Sequence, residues 1–363
     1  MNKSHENRID NLINTGVMEK VYPGCVLLVA VKGKVDYFKK SGYLSLIPSP
    51  VSMKRDTIFD LASLTKPLAT TLVIMDLVDK KRIDLDQPLS ELIISGPLRG
   101  KEKITPRFLL NHSSGLIDWA PFYLDLVNYE PERRKKILRE SIINKPLEYH
   151  PGQNCIYSDP GFMLLEWIIE EKTGADLDQY LIKKFYGPLS LKRTFLNKGI
   201  PPFERDKIAA TENCPWRKKI IQGEVHDENA YAVGGFSGHA GLFSTAEEVF
   251  ILVNMLKDHY YGRKNYFLMP ETVREFFRRQ DIVKGCTWAL GWDTPSKEGS
   301  SSGSGFSTNS VGHLGFSGTS AWMDMDKDII VVFLTNRVHP TRDNQGLKLF
   351  RPKLHDLIME AYI

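Results

Sequence analysis

The sequence predicts an α+β fold: an antiparallel sheet flanked by terminal helices, with a helical lobe inserted between the two halves of the sheet. Two observations predict it. Strand-like β-branched runs lie near both chain ends, and the long stretch between them is helix-rich and punctuated by Pro and Gly. A sheet made from both ends puts residues 1–83 with 241–363 in one lobe and 84–240 in the other. The cleft between two such lobes is the expected site.

The elements follow in order. Residues 5–20 place Ile9, Leu12, Ile13 and Val17 on one helical face. Residues 24–31 form a β-branched run, and Lys32-Gly33-Lys34 turns the chain into Val35-Asp36-Tyr37-Phe38, which reads as an antiparallel hairpin. Over 63–80, Leu64, Leu68, Leu72, Met75 and Val78 recur at helical spacing. Further helices are predicted over 105–111, 131–143, 160–173 and 245–257, and Thr173-Gly174 supplies a C-terminal stop for the third. Residues 294–308 are Ser- and Gly-rich and read as a flexible loop. The tail offers strands at 287–292, 320–325 and 329–335, then a closing helix over about 343–361.

Composition narrows the function classes. Hydrophobic residues at 42% and charged residues at 25% fit a folded chain with a sizeable core. A net charge of +4 without a dense basic run gives no nucleic-acid partner. Arg133 to Lys136 and Arg217 to Lys219 read as solvated faces. No apolar run approaches the ~20 residues of a membrane span. The polar N-terminus, Met1 to Arg8, has no apolar core of a signal peptide, so a cytoplasmic location is expected, or an exported one if a leader was removed. Cys25, Cys155, Cys214 and Cys286 lack zinc or redox spacing and suit a reducing compartment, with a disulfide left open. No metal and no cofactor is expected.

Three segments carry chemistry. In Phe59-Asp60-Leu61-Ala62-Ser63-Leu64-Thr65-Lys66, residues three apart share one helix face, so Ser63 and Lys66 come within reach of each other. A serine hydroxyl is a weak nucleophile until a neighbour takes its proton, and a lysine takes it only when its pKa is lowered. Alone, this pair also fits an N-capping serine and a solvated lysine. In His150-Pro151-Gly152-Gln153-Asn154-Cys155-Ile156-Tyr157-Ser158-Asp159, Tyr157 heads a short loop before a helix. A tyrosine beside a lysine acts as a phenolate or relays a proton to a leaving group. In Gly312-His313-Leu314-Gly315-Phe316-Ser317-Gly318-Thr319-Ser320, a glycine-rich strand edge admits a substrate backbone and offers amides to an oxyanion.

Together these segments make the chain resemble the β-lactamase-related serine hydrolases of the penicillin-binding-protein and class C β-lactamase superfamily. The likeness runs from about residue 20 to 340. It includes Ile104 to Leu116 and Gly238 to Ala246, and Val225 to Tyr231 is similar to a stretch in the penicillin-binding protein 4B-like branch. The resemblance implies a β-lactamase/transpeptidase-like fold and an acyl-enzyme mechanism. It implies Ser63 as nucleophile, Lys66 as general base or electrostatic partner, and Tyr157 as second proton-transfer group. The amides of Ser63 and Phe316 would form the oxyanion hole. Asp159, His313, Gly315, Ser317 and Asp227 would bind substrate.

Two departures matter. Asp159 stands where asparagine is common, and an ionised carboxylate accepts hydrogen bonds without donating; it would pair with Lys66 or prefer a substrate amine. His313 and Leu314 stand where lysine and a hydroxyl residue are usual. Both weaken the case for a potent β-lactamase and favour an esterase or D-Ala-D-Ala carboxypeptidase-like enzyme acting on a small ester, amide or peptide. The alternatives are a non-catalytic penicillin-recognising or scaffold protein, and a metal hydrolase built on His226, Asp227 and Glu228. Gly299 to Gly303 matches Gly-x-Ser-x-Gly but lies in the loop rather than at a strand-to-helix elbow.

Overall fold

The computed structural model describes residues 1–362. Its strands are β1 (Gly24–Val31), β2 (Lys34–Ser45), β3 (Val51–Ser52), β4 (Phe59–Asp60), β5 (Phe195–Leu196), β6 (Asn213–Cys214), β7 (Lys219–Ile220), β8 (Leu242–Ser244), β9 (Ser310–Leu314), β10 (Ser320–Asp324) and β11 (Ile329–Thr335). Its α-helices are α1 (Lys3–Met18), α2 (Leu72–Asp79), α3 (Leu89–Leu92), α4 (Pro106–Leu110), α5 (Tyr123–Leu126), α6 (Pro131–Asn144), α7 (Asp159–Thr173), α8 (Leu177–Leu181), α9 (Glu228–Ala232), α10 (Ala246–Tyr260), α11 (Pro270–Phe277) and α12 (Leu347–Glu360).

The main sheet runs β3-β2-β1-β11-β10-β9, antiparallel throughout, so both chain ends build it as the sequence predicts. Strand alternation assigns its faces. Leu27, Val29, Val331 and Phe333 pack against Ile9, Ile13, Leu354 and Ile358 of α1 and α12. Val26, Leu28, Val332 and Leu334 face the larger core, which includes Leu252 and Leu256 of α10 and continues into the helices of the middle segment. Burying each such side chain stabilises by roughly 1.5–3 kcal/mol. A short sheet, β4-β8-β5, lies just before the nucleophile candidate and ties residues 59–60 to 242–244.

Local chemistry sets the ends of α7. Ser158 caps it by accepting the Gly161 N–H, Pro160 occupies the first turn, and Gly174 ends it at φ +67°.

Several sequence readings need correction. Residues 287–292 are not a strand: the Ala289 N–H donates to Trp292 O at 2.8 Å, folding the segment on itself. The missing strand of the tail is β9, one segment later. The expected helix over 63–80 is three pieces, a 3-10 turn at Ala62–Leu64, a wide π-type turn at Lys66–Thr71, and α2. Pro67 lacks the N–H a regular helix needs there. The loop 294–308 is anchored rather than free, because Asp356 accepts the Ser304 and Gly305 N–H groups at 2.6 and 2.9 Å. Cys155 and Cys286 form a disulfide with Cα atoms 6.1 Å apart, whereas Cys25 and Cys214 are free and buried. Two expected solvated faces are partly buried. Arg217 stacks 3.9 Å from the Tyr231 ring centre, and Lys135 pairs with Glu166 at 2.7 Å.

The register pairs Gly312 with Trp322, and a Cβ on Gly312 would lie 2.1 Å from the Trp322 ring. Trp322, fully buried, therefore lies flat over that glycine and locks β9 to β10. Trp322→Ala should cost about 3–5 kcal/mol in chemical denaturation. A cost below about 1 kcal/mol would refute this packing role.

Candidate active site

The site is built on backbone strain at one residue. Ala62 adopts φ +47°, a left-handed conformation unusual for alanine. Asp60 holds it there: one carboxylate oxygen accepts the Ala62 N–H at 2.9 Å and the other the His226 N–H at 2.6 Å. The turn projects Ser63 into a cavity of about 480 Å³ lined by Ser63, Tyr157, Asp159, Asp227, Gly315 and Phe316, among others.

Lys66 lies beneath Ser63 with no solvent exposure. Its Nζ donates to Ser63 Oγ at 3.0 Å, to Asp159 Oδ1 at 2.7 Å and to the His239 carbonyl at 3.4 Å. All three ammonium protons thus have acceptors. Burial works to lower the Lys66 pKa, but Asp159 and Tyr157 beside it outweigh burial and the net shift is upward. A lysine that takes a serine proton needs a lowered pKa, and this arrangement does the opposite. Asp159 starts α7, where the helix dipole also favours a carboxylate.

Tyr157 stands over this pair. Lys66 Nζ is 4.7 Å from the centre of its ring. The ring packs against His112, Trp288 and His313, at 4.5, 5.5 and 6.1 Å between centres. Burial pushes the Tyr157 phenol up, with Lys66 pulling the other way. The phenol is therefore protonated near neutral pH, which favours the proton-relay role over the phenolate one. His112 fixes the loop by accepting the Ser158 N–H on Nδ1 at 3.0 Å.

The strand edge approaches from the opposite side. Ser317 Oγ donates to Asp60 O at 2.7 Å and Thr319 Oγ1 to Leu61 O at 3.0 Å. A Cβ on Gly315 would lie 2.3 Å from Leu61 O, so only glycine permits this approach. Phe316 is 49% exposed, and among the described residues neither its N–H nor that of Ser63 has a protein acceptor. Two free amides on one cavity wall suit an oxyanion.

The structure takes two expected substrate-binding residues, Ser317 and His313, out of the cavity wall and keeps Asp227 in it, beside His226 and Glu228. Ser317 is 1% exposed and staples the β9–β10 turn to the Asp60 carbonyl. His313 is 2% exposed, sits behind Tyr157, and is pushed down to about 3 chiefly by burial, with Lys66 adding to it. It is therefore a neutral packing partner of Tyr157. The consecutive residues His226, Asp227 and Glu228 diverge: His226 pairs with Glu212, Asp227 with His239 and Glu228 with Arg342. A metal-binding trio at 226–228 does not form. Asp159, Asp227 and His239 do place ligand atoms within 4.8 Å of one another. Lys66 and His239 already pair with both carboxylates there. Burial works to raise the Asp227 pKa, but His239 and the Ala230 N–H hold it well below the usual carboxylate range.

His239 is the main residue that the sequence argument passes over. It stands inside Gly238-His239-Ala240-Gly241, a glycine-flanked histidine that itself signals a close backbone approach. His112 and Trp288 are likewise visible only through their packing on Tyr157.

A family model described as Beta-lactamase matches residues 9–353. An N-acetylmuramyl-L-alanine amidase of Bacillus subtilis (strain 168) is 35% identical over 366 residues, covering 92% of this chain and 81% of the relative. A putative D-alanyl-D-alanine carboxypeptidase of Escherichia coli O157:H7 is 32% identical over 373 residues, covering 93% and 84%. Among solved structures, EstCE1, a hydrolase with promiscuous acyltransferase activity, superposes with a TM-score of 0.75 at 22% identity, covering 98% of this chain and 99% of that one. The octameric penicillin-binding protein homologue from Pyrococcus abyssi gives 0.72 at 20% identity, covering 98% and 77%. These two structures share the fold.

The ion pair carries a direct expectation. Asp159→Asn removes the charge that raises Lys66, so the Lys66 pKa should fall. NMR titration of the lysine side-chain resonances reads it. An unchanged or higher pKa would contradict the pairing.

Proposed function

Because the chain belongs to the beta-lactamase family, we propose that it is a serine hydrolase that forms an acyl-enzyme on Ser63, taking small esters or amides as substrates. The observation that carries this reading is the buried Lys66 Nζ, 3.0 Å from Ser63 Oγ. The β-lactamase/transpeptidase-like fold is shared with the solved relatives. Amide or ester chemistry is in keeping with the printed names of the amidase, carboxypeptidase and hydrolase relatives.

In the proposed cycle, a substrate donor engages Asp159 and loosens its hold on Lys66. Burial then dominates at Lys66, and the lysine loses its proton to solvent in the cleft. Ser63 attacks the carbonyl while its proton passes to Lys66. The oxyanion rests on the Ser63 and Phe316 amides. Tyr157 delivers a proton to the departing oxygen or nitrogen and is reprotonated through Lys66. Water then adds to the acyl-enzyme by the same proton route and releases the acid.

We read residues 1–83 with 241–363 as one lobe and 84–240 as the other. The sheet topology supports this, and so does a cavity lined from both stretches. Two features run across that boundary, the continuous core and the pairing of β5 with β8. No helix among the described residues is long and apolar enough to cross a membrane. For location, the expected cytoplasm stands against an exported compartment, which the Cys155–Cys286 bond supports. Thiol labelling in freshly lysed native cells decides between them.

Ser63→Ala should lower kcat/KM for 4-nitrophenyl acetate by about 10³-fold or more. Retained turnover would refute the assignment. The pH profile gives a second test. Activity needs neutral Lys66, and Asp159 raises the Lys66 pKa, so the acid limb of kcat/KM lies on the alkaline side. Asp159→Asn should move that limb to lower pH. A limb that stays or moves upward would show that Lys66 deprotonation does not control the rate.

A further inference from the structure

The cavity has a second end, and its chemistry is unlike that around Ser63. Arg337, just after β11, and Arg351, on α12, both line it. They are 9% and 5% exposed. Neither has a carboxylate partner among the described residues. Arg337 donates only to the Arg342 and Asn344 carbonyls, at 3.3 and 2.7 Å, and its guanidinium lies 4.8 Å from the centre of the Phe316 ring. Arg351 makes no hydrogen bond there, and its Nε is buried without an acceptor. Lys348, exposed and unpaired among the described residues, stands at the rim.

The neighbouring charges are already matched. Arg342 is held by Glu212 and by Glu228, at 2.7 and 2.6 Å. Asp159 and Asp227 are taken by Lys66 and His239. This leaves two buried guanidinium groups with no carboxylate opposite them among the described residues. Burial and the nearby Arg337 charge push Arg351 down to about 9. Burying like charges without a counter-ion is costly, and the fold gives them no structural partner. A guanidinium offers a planar fork of donors that matches a carboxylate or a phosphate.

We propose that Arg337 and Arg351 form an anion seat, so that the substrate of this enzyme carries a carboxylate or phosphate group besides the carbonyl attacked by Ser63. The proposal rests on the acyl-transfer reading for the role of the seat in turnover, but not for binding itself. Phe316 links the two ends. It lines the same cavity as Ser63, and its ring lies between Arg337 and His226. An anion drawn onto the arginines therefore passes along the Phe316 ring, with the rest of the substrate reaching towards Ser63.

Two measurements test the seat. In the first, glutarate and inorganic phosphate are titrated calorimetrically into Ser63→Ala protein and into the same protein carrying Arg351→Met. Binding of at least one anion is expected, weakened roughly tenfold or more by Arg351→Met. The anion that binds more tightly identifies the group. Absence of binding by both anions, or equal binding by the two proteins, would overturn the proposal. In the second, kcat/KM for the mono-4-nitrophenyl ester of glutarate is divided by that for 4-nitrophenyl acetate. The ratio should fall about tenfold or more in Arg351→Met and in Arg337→Met, mainly through KM, with partial recovery in Arg351→Lys. An unchanged ratio would overturn the carboxylate form of the proposal. Arg351→Met removes an unpaired buried charge, so its Tm should hold or rise; a lower Tm with loss of both esters together would mark a structural role and overturn the seat. Full activity of Ser63→Ala on both esters would instead refute the acyl-transfer reading and leave the calorimetric result standing.

Discussion

A single ammonium group organises this molecule's chemistry. Lys66 is sealed from solvent and satisfied by a hydroxyl, a carboxylate and a carbonyl from three separate parts of the chain. A buried lysine without partners would give up its proton or unfold its surroundings. Here the partners are the nucleophile, the first residue of α7 and the turn before β8. Whatever places them also places the site. The same saturation that makes Lys66 stable keeps it from accepting a proton, so the proposed cycle has the substrate disturb it. In that cycle the Asp159 ion pair holds the resting structure in a locked form.

The scaffold around that group is a set of short backbone ties. Asp60 reaches forward to Ala62 and across to His226. Ser317 and Thr319 reach from the β9–β10 turn to the carbonyls of Asp60 and Leu61. The strand edge that offers its amides is thus joined directly to the residues before the nucleophile. The two amides proposed for the oxyanion are thus tied to one stretch of backbone, and a glycine at 315 makes the approach sterically possible. Behind Tyr157, a wall of His112, Trp288 and a neutral His313 sets the phenol's position without adding charge.

Much of this is legible in the sequence, for local reasons. Ser63 and Lys66 are three residues apart, and a turn of helix, even the irregular one that Pro67 imposes, brings them together. The sheet from both chain ends shows in its β-branched runs, and the α7 boundaries show in Ser158, Pro160 and Gly174. What fails is non-local. Ser317 and His313 lie in the right motif, but one is turned to a backbone carbonyl and the other behind an aromatic ring, which no linear spacing records. His226, Asp227 and Glu228 look like one cluster because they are adjacent, whereas an extended turn sends neighbouring side chains to different partners. The strand expected at 287–292 is apolar for another reason: Leu290 and Trp292 fill the core through a tight turn. The pairing of Cys155 with Cys286 spans 131 residues and leaves no local trace.

The central claim is that Lys66 makes Ser63 reactive. The most direct test is the rate at which a fluorophosphonate labels the folded protein, with the modified residue located by peptide mass spectrometry, in the native sequence and in Lys66→Met. The account predicts a single adduct on Ser63, formed at least about a hundredfold more slowly when the lysine is gone. Labelling of another residue, or equal rates in the two proteins, would contradict it.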